Sequence, residues 1–267
     1  MTIFEFRPYA TRSNIVLFHD YLCPWCWVGF FHAQRLAAEF GVVFDWRGAE
    51  LYPPELEPQM LSKPGPSAPR HPDRKKTRFD LFCESEQILV PEPRPGFVRT
   101  HRALLGAEFV KANTDYATEL AWHEAIYRAY WERCEDIESL EVLGQLGAPL
   151  GLDVAALTAA IASEQGAENI LAFDDGAYAK GIRHVPTFIF GTEEILAEAH
   201  YVELAYATQR FLVRKPKEQT KNETGFTCGR KTGRDFWGGR AASPRGGGSR
   251  GGGGYGPGSH KPTGRRL

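Results

Sequence analysis

The chain has 267 residues, of which 42% are hydrophobic and 24% charged, an ordinary composition for a globular protein with a sizeable core. Its longest apolar runs, such as residues 15–18, are far too short to cross a bilayer. Residues 1–10 lack the apolar stretch and cleavage site of a secretory signal, so we expect a cytoplasmic protein with no membrane partner.

The first predicted elements form a β–α–β unit. Residues 14–19 are a nearly continuous apolar run and predict a short buried strand. After a loop, apolar residues recur at helical spacing over residues 24–40, with Pro24 at the first helical position and Gly41 as the terminator. Residues 42–46 predict the second strand.

The middle of the chain has a different pattern. Residues 52–78 are rich in Pro, Lys and Arg and predict a loop, with a short helix after Pro72. Residues 99–180 predict helices almost throughout, with Asp136 and Asp153 as helix N-caps.

The strand pattern returns over residues 185–190 and 194–198, and residues 199–213 predict a closing helix. Together the elements predict an α/β, thioredoxin-like fold (βαβ + ββα) with an inserted all-helical subdomain. We expect the domain to span residues 1–213, with thioredoxin halves at about 14–50 and 182–213 and the insert at about 72–181.

Residues 214–267 form a basic, Gly-rich tail that we expect to be disordered and without function. Residues 215–267 carry 12 Lys and Arg against 3 Asp and Glu, a net charge of +9, so the remaining chain is acidic at −10. Arg and Gly with Trp237 and Tyr255 also allow RNA binding by charge and stacking, which we keep as an alternative although the Arg-Gly spacing is irregular.

Five cysteines at irregular spacing argue against a disulfide-stapled scaffold, and only Cys23 and Cys26 form a local pair. Cys23 precedes a helix, where unsatisfied N–H groups and the helix dipole favour a thiolate. We therefore predict Cys23 as the exposed nucleophile and Cys26 as the buried resolving thiol. A zinc site would need two more ligands, and Cys83 and Cys134 are single, so no metal is expected.

A second motif is Val185-Pro186-Thr187, which precedes a predicted strand. A proline at this position suggests a cis peptide bond. In a thioredoxin fold this turn faces the cysteine pair, which would leave the Val185 backbone free to pair with a substrate.

Several neighbouring residues are weaker candidates. His19 and His184 are candidates for tuning the Cys23 thiolate or relaying a proton, although a structural histidine is the more common case. Asp20 is a candidate proton acceptor near Cys26, although acids in loops are usually solvated. Trp25 is a candidate apolar lip for substrate, as is Trp27 unless it belongs to the core.

The motif Phe18-His-Asp-Tyr-Leu-Cys-Pro-Trp-Cys-Trp-Val-Gly29 resembles the active-site segment of DsbA-like oxidoreductases, and its FrnE-type branch in particular. The resemblance covers about residues 15–213 and implies that Cys23, Cys26 and Pro186 carry the site, with Val185 in the cis-proline loop. The sequence departs from the family at Ala197-Glu198-Ala199-His200, where a Ser-Gly-Ala-Gln-like segment is expected. Further matching stretches are Thr100-His-Arg-Ala-Leu104, Ala125-Ile-Tyr-Arg-Ala-Tyr-Trp131 and Gly181-Ile-Arg-His-Val-Pro-Thr-Phe188.

These patterns predict a thiol–disulfide oxidoreductase or isomerase that acts on protein or small-molecule disulfides. No cofactor is expected beyond the redox-active cysteine pair, with glutathione or another thiol as co-substrate. A glutathione-dependent isomerase or transferase of the kappa or hydroxychromene-carboxylate isomerase type is the alternative, because it shares the layout without needing both cysteines. The cytosolic redox poise favours a reductase or isomerase over an oxidase.

Overall fold

A five-stranded mixed sheet organises the computed structural model, which describes residues 15–53, 62–71, 73–173, 175–192 and 194–214. The strands are β1 (Ile15–His19), β2 (Phe44–Glu50), β3 (Leu171–Ala172), β4 (Thr187–Phe190) and β5 (Glu194–Ala197). Their order in the sheet is β3-β2-β1-β4-β5. β2 is parallel to β1 and β3, whereas β4 is antiparallel to β1 and β5.

Eight α-helices accompany this sheet within the residues that the structure describes. They are α1 (Pro24–Phe40), α2 (Arg78–Glu86), α3 (His101–Asn113), α4 (Tyr116–Arg133), α5 (Leu140–Gly147), α6 (Val154–Ala162), α7 (Asp175–Ala179) and α8 (Tyr201–Val213). α1 and α8 pack against each other, and α3 packs against α4 and α6. None of the helices within the described ranges is long and apolar enough to cross a membrane.

The core forms where β1 lies between β2 and β4. All five residues of β1 are buried, and Leu17 pairs in register with Trp46 on one side and Phe188 on the other. α1 adds Trp27, Phe30 and other apolar side chains to the same core. Each such large buried side chain contributes about 1.5–3 kcal/mol of stability relative to exposure.

The predicted helix at residues 24–40 is confirmed with both its ends. Gly41 adopts φ 65° and its N–H donates to the carbonyl of Ala37, which closes the helix in the way that favours glycine. Asp153 caps α6 as predicted, because its side chain accepts from the N–H of Ala156.

The structure corrects three details of the sequence prediction. Asp136 is not a helix N-cap: it closes a turn ahead of α5, and Ser139 caps that helix instead. The inserted segment is helical but not all-helical, because β3 adds two residues to the edge of β2. β4 begins at Thr187, so Val185 and Pro186 precede the strand rather than belonging to it.

Candidate active site

The start of α1 presents the two cysteines. Cys23 is the N-cap in an extended conformation, and Pro24 occupies the first turn, where a missing N–H costs nothing. The carbonyl of Cys23 accepts from the N–H of Cys26 at 3.0 Å and of Trp27 at 3.1 Å. Both cysteines are free thiols about one helical turn apart in sequence.

The Val185–Pro186 loop covers Cys23. Its peptide bond is cis, as the sequence suggested. The Cys23 thiol donates to the Val185 carbonyl at 3.3 Å, and Cys23 is only 5% exposed. The prediction of an exposed Cys23 is therefore wrong for the dithiol form, and the Val185 carbonyl is engaged by that thiol rather than free.

Close approach of α1 to this loop depends on Gly29. A Cβ atom at Gly29 would lie 2.7 Å from Cγ and 2.9 Å from Cβ of Pro186. These separations are shorter than carbon atoms tolerate, and a proline ring has little freedom to move aside. Gly29 therefore sets the distance between the helix that carries the cysteines and the loop that covers them.

Cys26 lies beneath Cys23 and is 1% exposed. Burial raises the pKa of the Cys26 thiol well above its usual value, and the hydrogen bond with Cys23 raises it further. The N–H of Asp20 donates to the Cys26 sulfur at 3.5 Å. Cys26 therefore holds its proton, as a resolving thiol does before it acts.

Asp20 is fully buried beside Cys26 rather than solvated. Its carboxylate accepts from the N–H of Leu22 at 3.1 Å, from the N–H of Leu51 at 2.7 Å and from the hydroxyl of Thr100. Burial raises the pKa of Asp20 to about 6, against the opposing effect of these donors. A carboxyl with such a pKa can take up a proton near neutral pH.

His19 faces a buried aromatic cluster and not the surface. Its Nδ1 lies 3.0 Å from the hydroxyl of Tyr127, and its ring packs edge-on against Tyr21, Trp46 and His123. Burial lowers the pKa of His19, which keeps the ring neutral. Burial raises the pKa of Tyr127, and the charges of Cys26 and Cys23 add to this rise, so the tyrosine that His19 contacts is electrostatically coupled to the dithiol.

His184 and Trp25 are linked through Glu198 and Arg78. His184 is largely exposed, and its Nδ1 is 3.7 Å from a carboxylate oxygen of Glu198. Trp25 is half-buried under α2, with its ring 5.0 Å from that of Phe79. The guanidinium of Arg78 lies over the Trp25 ring and 3.4 Å from Glu198.

The remaining cysteines lack activating surroundings. Cys83 is buried in α2, and burial raises its pKa to about 11. Cys134 ends α4 in a left-handed conformation, and burial also raises its pKa. Cys228 lies outside the described residues. Among the described residues no cluster of three or more His, Cys, Asp or Glu side chains is arranged to hold a metal ion.

Sequence reasoning missed several residues around the dithiol. In the sequence, Gly29 is marked only by its position at the end of the motif at residues 18–29. Thr100 and His101 are marked only because they lie in a stretch that resembles the family. No sequence pattern marks Glu50, because its hydrogen-bond partner His101 lies 51 residues away at the start of α3. Glu198 stands at φ 49°, where glycine is favoured, and its N–H donates to the Pro186 carbonyl at 3.1 Å. The only sequence feature that marks Glu198 is the difference from the family pattern at residues 197–200.

Comparison with solved structures shows a shared fold. A structure described as probable DsbA oxidoreductase SCO1869 from Streptomyces coelicolor is 19% identical with a TM-score of 0.54, covering 76% of this chain and 91% of that one. The cytosolic disulfide reductase DsbM from Pseudomonas aeruginosa, solved with GSH, is 18% identical with a TM-score of 0.52 over 74% and 96% of the chains. A 2-hydroxychromene-2-carboxylate isomerase is 15% identical with a TM-score of 0.53 over 74% and 95%.

Two sequence matches agree with this fold. The uncharacterized protein YwbO of Bacillus subtilis (strain 168) is 25% identical over 184 residues, which are 67% of this chain and 86% of that protein. Residues 14–208 match the family model of the DSBA-like thioredoxin domain. The matched region includes the sheet, α1 with both cysteines and the cis-proline loop, and the chain therefore belongs to the DSBA-like thioredoxin domain family.

Proposed function

We propose that this protein is a thiol–disulfide oxidoreductase in which Cys23 is the nucleophile and Cys26 the resolving thiol. The observation that carries the proposal is the placement of Cys23 between the α1 N-terminus and the Val185 carbonyl, with protonated Cys26 beside Asp20. Membership of the DSBA-like family supports thiol–disulfide chemistry in general. The narrower FrnE-type assignment and the isomerase activity remain predictions.

The reaction proceeds by two exchanges. Cys23 first loses its thiol proton to solvent, and its thiolate then attacks a substrate disulfide, forms a mixed disulfide and releases the first substrate thiolate. Cys26 then gives its proton to Asp20 and attacks the Cys23 sulfur, which releases the second substrate thiolate and leaves a Cys23–Cys26 disulfide. Glutathione or another thiol reduces that disulfide and completes the cycle.

The Val185–Pro186 loop and Trp25 would contact the substrate. Because Cys23 is 5% exposed and bonded to the Val185 carbonyl, the loop must yield for a disulfide to reach the sulfur. The apolar ring of Trp25, beside exposed Arg78, offers a surface next to that opening. We propose a cytoplasmic location and a reductase or isomerase direction, which agree with the cytosolic reductase DsbM among the structural neighbours.

Turnover of insulin disulfides and refolding of scrambled ribonuclease test the proposal. Wild-type protein should catalyse at least one of these reactions, and Cys23→Ser should lose it because no nucleophile remains. Cys83→Ser serves as the matched control, since that thiol lies in α2 and outside the mechanism. Equal activity of wild type and Cys23→Ser would contradict the proposal.

The alternative is a glutathione-dependent isomerase or transferase. The fold shared with a 2-hydroxychromene-2-carboxylate isomerase is compatible with this alternative. Cys26→Ser separates the two functions. A disulfide oxidoreductase should lose turnover in this variant, because the mixed disulfide cannot be resolved. A glutathione-dependent isomerase should keep its activity.

A further inference from the structure

Two pairs of consecutive residues connect Asp20 to a buried ion pair. At the end of β2, Leu51 donates its N–H to Asp20, and the preceding residue is Glu50. At the start of α3, Thr100 donates its hydroxyl to Asp20, and the following residue is His101. Nδ1 of His101 lies 2.8 Å from a carboxylate oxygen of Glu50. Asp20 and the Glu50–His101 pair are therefore held by the same two chain segments.

The pair leads from the interior to the surface. Glu50 is 2% exposed, whereas the His101 side chain is 13% exposed. On its outer side, Nε2 of His101 lies 3.6 Å from a carboxylate oxygen of Glu164, whose side chain is 67% exposed. His101 therefore lies between the buried carboxylate of Glu50 and the solvent-exposed carboxylate of Glu164.

The charges of these groups act on one another. A buried carboxylate needs a partner, and the hydrogen bond that His101 donates to Glu50 raises the pKa of His101. The charge of Glu50 contributes to the raised pKa of Asp20. The other titratable groups that face Asp20 are Cys26, Tyr21, Tyr127 and Tyr130, and those that face His101 besides Glu50 are Glu138 and Glu164.

We propose that Glu50 and His101 are positioning residues for the resolving step: their combined charge sets the charge state of Asp20, which takes the proton of Cys26. The proposal rests on the dithiol function proposed above. When Cys26 attacks the Cys23 sulfur, its S–H bond breaks, the proton moves to Asp20, and the substrate thiolate leaves with the electron pair of the broken S–S bond. Protonated His101 balances the negative charge of Glu50. Without this balance, the charge of Glu50 would keep Asp20 protonated and unable to accept the proton of Cys26.

A stopped-flow reaction with 5,5′-dithiobis(2-nitrobenzoate) resolves this step. Attack by Cys23 releases one thionitrobenzoate, and attack by Cys26 on the mixed disulfide releases a second. Cys26→Ser lacks the second release and provides the background from the other cysteines. The rate of the second release is measured from pH 5 to pH 8, and its midpoint reports the acid–base groups of the resolving step.

Single substitutions of the pair should move this midpoint in opposite directions. His101→Asn leaves the charge of Glu50 unbalanced, so the midpoint should rise by about one pH unit, with resolution about fivefold slower at pH 6. Glu50→Gln removes the charge that raises the Asp20 pKa, so the midpoint should fall. The double variant and His101→Lys should both stay close to wild type, because each restores the charge balance. The rate of the first thionitrobenzoate release, which reports attack by Cys23, should be the same in all these variants as in wild type.

Arg102→Gln is the matched control, because it removes a cation from the same turn of α3 that faces Glu138 instead of Glu50. A midpoint unchanged in both single variants, or an equal rise in Arg102→Gln, overturns the inference. If His101→Asn does not fold, the test depends on Glu50→Gln alone: a lower midpoint supports the inference, and an unchanged or higher midpoint overturns it. A wild type without a second release overturns the proposed function and this inference together, whereas normal resolution with unmoved midpoints overturns the inference alone.

Discussion

Asp20 connects the resolving cysteine with β2 and α3. Its backbone N–H contacts the Cys26 sulfur, while its carboxylate accepts from Leu51 and Thr100. Three donors do not outweigh complete burial, and the pKa therefore rises. A single side chain thus links the chemistry of the dithiol to the packing around it.

The raised pKa of Asp20 makes the stability of the dithiol form depend on pH. The pKa rises from 3.8 in the unfolded chain to about 6 in the folded one, so the folded state binds this proton more tightly. Stability from this group is complete below the unfolded pKa and is lost as the pH rises towards and past the folded pKa. At about 1.4 kcal/mol per pKa unit, the full effect is about 3 kcal/mol, of which about 2.4 kcal/mol is lost between pH 4 and pH 7.

Denaturant unfolding of wild type and Asp20→Asn at several pH values checks this prediction. The free energy of unfolding of wild type minus that of the variant should fall by about 2.4 kcal/mol from pH 4 to pH 7, because asparagine does not titrate. A constant difference for Asp20→Asn would show that Asp20 does not carry a raised pKa.

At the scale of elements, α1 and the cis-proline loop act as one unit. The helix begins at Pro24, with Cys23 as its N-cap and Cys26 in its first turn, and it meets Pro186 at Gly29, which has no side chain. β4 follows directly after the loop and pairs with β1, so the sheet holds both parts in place.

Gly29→Ala should separate these two parts. The added methyl would overlap the Pro186 ring, and we expect a loss of about 1–3 kcal/mol in the free energy of unfolding, although alanine favours helices. Disulfide turnover should fall as the loop moves away from Cys23. Ala38→Gly, on the exposed side of the same helix, should cost about 1 kcal/mol without changing turnover. Full stability and turnover in Gly29→Ala would contradict the close contact.

At the scale of the whole molecule, residues far apart in sequence complete the site. β1, α1 and β2 come from the first fifty residues, whereas the cis-proline loop, β4, β5 and α8 follow the helical insert. The insert itself supplies α3, which brings Thr100 and His101 to Asp20 and Glu50. The described residues all lie within one compact unit, Met1–Lys217.

A chain that ends at Arg214 should keep its disulfide turnover. The family match ends at residue 208, and every contact of the site described above lies before residue 214. Removal of residues 215–267 takes away 12 basic and 3 acidic residues, which changes the formal net charge from −1 to −10. RNA retention measured at several salt concentrations should be the same for both chains if the tail does not bind RNA. Loss of turnover on truncation would contradict the domain boundary.

Local patterns in the sequence determined the α1 helix with Cys23 at its start and the strands of both halves of the sheet. Proline before the first helical turn, glycine after the last one and apolar runs at strand length act over a few residues, so they can be recognised without a structure. The cis peptide bond at Val185–Pro186 belongs to the same class, because proline makes that geometry accessible.

Only the tertiary structure decided which of these residues are buried and which partners they meet. β3 is two residues long and exists because β2 offers it an edge. Cys23 is covered by a loop 162 residues away, and Glu50 meets His101 across 51 residues. Burial and long-range contact depend on how distant segments pack, and these set the pKa values of Asp20 and Cys26 on which the proposed chemistry depends.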